Sequence, residues 1–156
     1  MKRDKQLHPL SWQHHDELIS CLLIKKGIKK NVESVILKDF IFTFWKDDLE
    51  KHMKSEEEIL LPALARNHFE PHYIRIIKTD HDLIRILIER MQIFDESHRF
   101  FELFATLVEQ HIRFEERFIF PLVQELIEEP EMDRLGALLG NVHTRNCNNY
   151  PIKFWE

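Results

Sequence analysis

The chain has 156 residues, a formal net charge of -5, 44% hydrophobic residues and 31% charged residues. This length and balance fit one globular domain, expected to span residues 1–156 with its folded core at about 10–128. The acidic excess is mild, which argues against binding to nucleic acid or to a membrane surface.

Targeting and membrane signals are missing from the sequence pattern. No apolar run reaches the roughly 20 residues that a transmembrane helix needs, and the first ten residues lack the apolar stretch of a signal peptide. The two cysteines, Cys21 and Cys147, form no CxxC motif, and such sparse usage fits a reducing compartment. We therefore expect a cytoplasmic protein.

Apolar residues recur at helical spacing from the first helix onward. Ser11 can cap a first helix, which is expected to run to about Lys26 and to end at Gly27. Pro62 should kink or end the second helix, because proline lacks the N–H that the helix needs.

The later helices follow from the same periodicity. We expect long helices at about 32–65, 73–94 and 97–127, a shorter one at 131–142 and an irregular tail at 144–156. Four long helices with short connections predict an all-α fold, an up-down-up-down antiparallel four-helix bundle with a short C-terminal extension.

An internal repeat gives the strongest functional signal. The pattern H-x-x-x-E-E-x-x-x-x-P occurs twice, beginning at His52 and at His111, late in the second and fourth helices. A fainter echo pairs His15-Asp16 in the first helix with His81-Asp82 in the third. The chain thus consists of two similar helical hairpins.

The spacing of this repeat predicts metal ligands. Residues four apart lie on one helix face, so His52 with Glu56, and His111 with Glu115, present an imidazole and a carboxylate to the same point in the core. A buried carboxylate is costly without positive charge, which a metal ion supplies. Because carboxylates can bridge two metals, four histidines and two glutamates fit a dinuclear site. Imidazole suits iron, zinc, copper and nickel, and carboxylate adds manganese to these candidates.

Two points of register remain open in the sequence. His14 is an alternative to His15; His15 is preferred because Leu18 and Ile19 follow it at core spacing. The remaining acids near the repeat, Glu57, Glu58, Glu116 and Asp48, are expected on a solvated face, with Asp48 alternatively orienting the His52 imidazole.

These residues resemble the hemerythrin-like (HHE cation-binding) family over about residues 10–123. The resemblance rests on the ordered histidines and glutamates and on the run Leu-Ser-Trp-Gln-His-His near the start. It implies a left-turning four-helix bundle with a non-haem di-iron centre, bridged by oxo, hydroxo or solvent. It further implies that two glutamates bridge the irons and that two histidines complete each one; the ligands would be His15, His52, Glu56, His81, His111 and Glu115.

Two departures from the family's oxygen carriers separate this chain from simple oxygen carriage. The carriers have a second histidine one turn from the third-helix ligand, where this chain has Ile77 and Arg85 around His81. They also place an aspartate five residues after the last histidine, where this chain has Glu116.

We expect a protein that binds or senses oxygen, peroxide, nitric oxide or a related small ligand, or that handles iron. An oxidase, peroxidase-like or nitric-oxide-reactive enzyme ranks lower, because no second acid–base pair or substrate pocket is visible. A metal-free helical interaction module is the third alternative. No pattern indicates the oligomeric state.

Overall fold

The computed structural model describes residues 2–94 and 97–156, and its described part is helical without a β-strand. The all-α class is confirmed, and the chain forms a helical bundle; its up-down-up-down order stays a prediction. The helices are α1 (His8–Lys29), α2 (34–66), α3 (Pro71–Ile93), α4 (98–126) and α5 (Glu129–Leu139), with short 3₁₀ turns at Lys5–Leu7 and Cys147–Asn149.

Helix α1 is longer than the sequence predicts at both ends. It begins at His8, and Pro9 lies in its first turn. Proline is tolerated there because a backbone N–H at this position would have no carbonyl partner within the helix. It continues through Gly27, so the expected stop at that residue is wrong. A Cβ on Gly27 would lie 2.5 Å from Leu37 Cδ2 and 2.9 Å from a ring carbon of Phe154. Glycine is present there because α2 and the tail pack closely against α1.

The second halves of α2 and α4 each contain a π-helical turn, at Glu56–Leu60 and Glu115–Ile119. In each turn the closing N–H bonds to a carbonyl five residues back, from Leu61 to Glu56 and from Phe120 to Glu115. The proline of each repeat lies just after this turn. Proline has no backbone N–H to donate, and the wider turn accommodates the missing helical hydrogen bond. Pro62 therefore does not end α2, and the helix continues to Arg66, close to the expected end at about residue 65.

A third π-helical turn, Trp45–Leu49, lies earlier in α2 and has no proline behind it. The corresponding stretch of α4 is regular α-helix. The two hairpins of the repeat therefore differ at this turn.

The apolar core is divided into two clusters. One contains Phe40, Phe44, Phe101 and Phe104, and the other contains Leu10, Leu60, Leu64, Ile77 and Phe120. Each of the four long helices carries one buried histidine between residues of the two clusters, and α2 and α4 each add a buried glutamate. The bundle therefore has a polar layer between two apolar ones.

The C-terminal tail folds back onto α2. The rings of Tyr150, Phe154 and Trp155 pack around Phe40 with centroid distances of 4.9, 5.2 and 5.9 Å. The Tyr150 hydroxyl donates to Asp39 at 2.6 Å. Among the described residues, no helix combines the length and the apolar character needed to cross a membrane.

Candidate metal centre

Four buried histidines, one from each long helix, point their Nε2 atoms at a common centre. His14 Nε2 lies 3.1 Å from His52 Nε2, and His81 Nε2 lies 3.2 Å from His111 Nε2. All four side chains are at most 1% exposed. The histidines therefore form two pairs, one on α1 and α2 and the other on α3 and α4.

The two repeat glutamates lie between the histidine pairs. Glu56 Oε1 is 3.0 Å from His52 Nε2, while its Oε2 is 3.1 Å from His81 Nε2. Glu115 Oε2 is 3.1 Å from His14 Nε2, while its Oε1 is 3.5 Å from His111 Nε2. Each carboxylate thus offers one oxygen to each pair.

Two overlapping groups of ligand atoms result, each with its atoms within 4.8 Å of one another. One comprises His14, His52, Glu56 and Glu115, and the other comprises Glu56, His81, His111 and Glu115. The fully buried glutamates belong to both groups.

The outer nitrogens of the histidines also have partners. His14 Nδ1 lies 2.7 Å from Glu116, and His81 Nδ1 lies 2.8 Å from Glu57. A carboxylate only accepts, so these Nδ1 atoms donate and their Nε2 lone pairs face the centre. The remaining Nδ1 contacts are His111 with Asp80 at 3.1 Å and His52 with the Gln13 side-chain oxygen at 2.8 Å.

Arginines tie two of these outer carboxylates in place. Arg85 contacts Glu57 at 2.8 Å, and Arg3 contacts Glu116 at 2.9 Å. Glu57 and Glu116 are the second residues of the two π-helical turns. These two acids were expected on a solvated face, but their side chains are only 29% and 26% exposed and each contacts a histidine.

The preference for His15 over His14 is corrected by the structure. His15 is exposed on α1, whereas His14 is 1% exposed and joins the other histidines. Three neighbouring positions on the buried face of α1 are polar, namely Gln13, His14 and Glu17. The spacing of apolar residues therefore does not identify this part of the helix as buried. The echo between hairpins therefore aligns His14, not His15, with His81.

The other five candidate residues, His52, Glu56, His81, His111 and Glu115, all lie in the buried cluster. Sequence reasoning missed Gln13, Glu17 and Asp80. Asp48 is 1% exposed, not solvated, and His52 Nδ1 is paired with Gln13 instead. Alignment on His14 could have found Gln13 and Glu17, because both then fall on the core face.

Several polar atoms of the cluster lack a hydrogen bond. Among the described residues, Glu56 Oε1 and both Glu115 oxygens have no hydrogen-bond partner, and two pairs of Nε2 atoms meet at hydrogen-bond distance. Burial lowers the pKa of His52 to about 4. The pKa of its neighbour His14 is raised, because the nearby carboxylates of Glu115, Glu116 and Glu56 outweigh the opposing effect of burial.

The second pair has a similar balance. Burial opposes charge on His111, yet the nearby Glu115 carboxylate and the hydrogen bond that His111 donates to Asp80 raise its pKa to about 10. Burial, followed by the charge of Glu56, raises the pKa of Glu115 to about 6. Orphaned carboxylate oxygens beside imidazole lone pairs are a donor set that suits divalent transition metals.

Glu17 and Asp48 form a separate pair of buried acids beside this cluster. Burial and then the neighbouring acid Asp48 raise the pKa of Glu17. Burial and then the charge of Asp16 raise the pKa of Asp48 to about 7. Among the residues that the structure describes, none is a hydrogen-bond partner of the four carboxylate oxygens of this pair.

A helical bundle with buried histidines and shared glutamates in its core is the architecture of a metal-binding helical protein, and the cluster is compatible with metal binding. The family model described as Hemerythrin HHE cation binding domain matches residues 12–123. The chain belongs to this family. Neither the curated proteins nor the solved structures include a significant match to the chain.

Proposed function

We propose that the chain binds two metal ions, most suitably iron, through His14, His52, Glu56, His81, His111 and Glu115. The observation that carries the proposal is the split of each carboxylate between the histidine pairs: Glu56 directs Oε1 at one pair and Oε2 at the other, and Glu115 does the same. Each ion would have two imidazoles and two carboxylate oxygens. Mixed nitrogen and oxygen ligands favour iron, with zinc and manganese as alternatives.

Four protein ligands leave coordination positions for a small molecule. Bound iron would supply redox chemistry and an open position for a ligand such as oxygen, peroxide or nitric oxide. The protein's own residues hold the imidazoles in one tautomer through their Nδ1 partners. The two apolar clusters on either side keep bulk water from the site. We therefore propose binding or sensing of a small ligand, or iron handling.

Metal analysis of protein purified without chelator tests the proposal. We expect about two iron ions per chain and a near-ultraviolet charge-transfer band after exposure to air. The double variant His52→Ala with His111→Ala should lose this metal. The control replaces the exposed His72 and His143 by alanine and should retain it.

Other outcomes discriminate between the alternatives. Unchanged metal in the His52 and His111 double variant contradicts the proposed ligands. Metal-free wild-type protein of full stability supports a helical interaction module instead. Sustained consumption of peroxide or nitric oxide by the iron-loaded protein identifies an enzyme.

A further inference from the structure

The side chains of Glu17 on α1 and Asp48 on α2 are 0% and 1% exposed. None of their four oxygens has a hydrogen-bond partner among the described residues. Glu17 lies next to Asp48, and the Thr144 hydroxyl lies beside Asp48 without meeting hydrogen-bond geometry. Two buried carboxylates with no donor are strongly unfavourable unless they bind a proton or a cation lies between them.

The bundle itself does not require acids at these positions. Alignment of His14 with His81 places Ile84 at the position of Glu17, and alignment of His52 with His111 places Leu107 at the position of Asp48. Ile84 is fully buried and Leu107 is half-buried, so the other hairpin fills these positions with apolar side chains. The acid pair is therefore specific to one hairpin.

The backbone that carries Asp48 is also specific to that hairpin. Asp48 lies in the π-helical turn Trp45–Leu49, and the equivalent stretch of α4 is regular α-helix. Isolated π-helical turns are frequent at functional sites, because they redirect side chains at some cost in helix stability. Here the turn holds a carboxylate in the core.

A cavity of about 520 Å³ lies between α1, α2 and the tail. Its lining includes Ser20, one helical turn after Glu17, and Asp47, adjacent to Asp48. On the other side, Glu17 Oε1 is 3.6 Å from His52 Nδ1. The acid pair thus lies between one end of the histidine cluster and a cavity whose charged lining residues are Asp39, Asp47 and Arg145.

We propose that Glu17 and Asp48 form a third cation site for a hard divalent ion such as Mn²⁺ or Fe²⁺. Two carboxylates and water supply the oxygen ligands that such ions accept. The position between the cavity and His52 makes this a loading site through which metal reaches the cluster. The loading role rests on the proposed dimetal centre, whereas cation binding by the acid pair does not.

Manganese titration of the metal-free full chain tests this site, with free Mn²⁺ followed by electron paramagnetic resonance. Wild type should bind about three Mn²⁺ ions, and Glu17→Gln with Asp48→Asn should bind about two. His52→Ala with His111→Ala should retain about one ion, held by the acid pair. The control, Glu50→Gln with Asp82→Asn, removes the same charge from exposed positions and should behave as wild type.

Glu17→Ile with Asp48→Leu copies the apolar residues of the other hairpin and provides a second variant in case the buried amides impair folding. It should also lose one ion, or weaken it by at least about tenfold. Equal stoichiometry and affinity in wild type and in both acid-pair variants overturn the third site. If wild type binds one ion that depends only on Glu17 and Asp48, the third site is supported and the dimetal centre fails.

Discussion

Single positions on α1 decide which histidine reaches the cluster. His14 and His15 are adjacent, so they point about 100° apart on the helix. Only His14 has both ring nitrogens engaged, Nδ1 by Glu116 and Nε2 by His52. The side chain of His15 is exposed.

Replacement of these two histidines should therefore have opposite consequences. His14→Ala should remove about one metal ion per chain, because it takes an imidazole from one of the two ligand groups. His15→Ala should retain the full metal content. Elemental analysis of the two purified variants makes the comparison, and loss of metal only from His15→Ala would contradict the placement of α1.

Glu116 acts on the cluster through His14 rather than by facing the centre. Its Oε1 accepts from His14 Nδ1 and from the Ser11 hydroxyl, while its Oε2 contacts Arg3. An anionic acceptor fixes the imidazole tautomer and strengthens it as a ligand. The same role falls to Glu57 at His81.

Glu116→Gln should weaken metal binding by about 10- to 100-fold while the fold is retained, because the acceptor loses its charge. Competition with a chelator of known affinity measures the change. Glu58→Gln is the matched control, because Glu58 is exposed and, in the part of the chain that the structure describes, forms an ion pair with Lys54 alone, at 3.9 Å. Equal affinities in the two variants would show that the carboxylate at 116 does not support His14.

Among the helices, the π-helical turns mark the limit of what the sequence predicts. A period of 3.6 residues correctly places Glu56 and Glu115 one turn after their histidines. It also predicts a solvated face for Glu57 and Glu116, whereas each is only partly exposed and reaches a histidine Nδ1. The prolines that follow the turns at Glu56–Leu60 and Glu115–Ile119 are a local sequence signal of these wider turns.

The packing of α1 against α2 and the tail is tightest at Gly27. Alanine there should gain about 1 kcal/mol from helix propensity, yet its Cβ would overlap Leu37 and Phe154. Overpacking in a core costs about 1–3 kcal/mol. Gly27→Ala should therefore lower the free energy of unfolding and loosen the tail from Phe40. Urea unfolding measures the change, and an increase in stability would contradict this packing.

Across the whole molecule, the fold follows from its apolar periodicity, whereas the site depends on a polar layer that periodicity cannot describe. The sequence correctly predicts an all-helical bundle and brings five of the six candidate residues together. The sequence-based prediction fails for His14, Glu17 and Asp48, because polar residues on the buried face of a helix cannot be told from solvent-exposed ones by the sequence pattern. Their burial becomes visible only when the four helices are packed together.

Such a polar layer makes the stability of the metal-free protein depend on pH. Burial, and then the charge of Asp16, raise the pKa of Asp48 from 3.8 to about 7 in the folded chain. Between these two values the folded state keeps a proton that the unfolded state has released. The unfolded state then binds fewer protons, so stability falls as pH rises through this window and the loss is complete above pH 7.

Asp48→Asn removes this titration, so the variant should gain stability relative to wild type as pH rises from 4 to 8. The relative gain should be on the order of 2–4 kcal/mol, since each unit of pKa shift corresponds to about 1.4 kcal/mol. Urea unfolding of both proteins in chelator, at several pH values, gives this difference directly. Asp82→Asn changes an exposed aspartate and should show no such trend. His14, His52 and His111 titrate in both proteins, so only the difference between the two proteins reports on Asp48. A difference independent of pH would contradict the burial of Asp48 as a carboxyl without a donor.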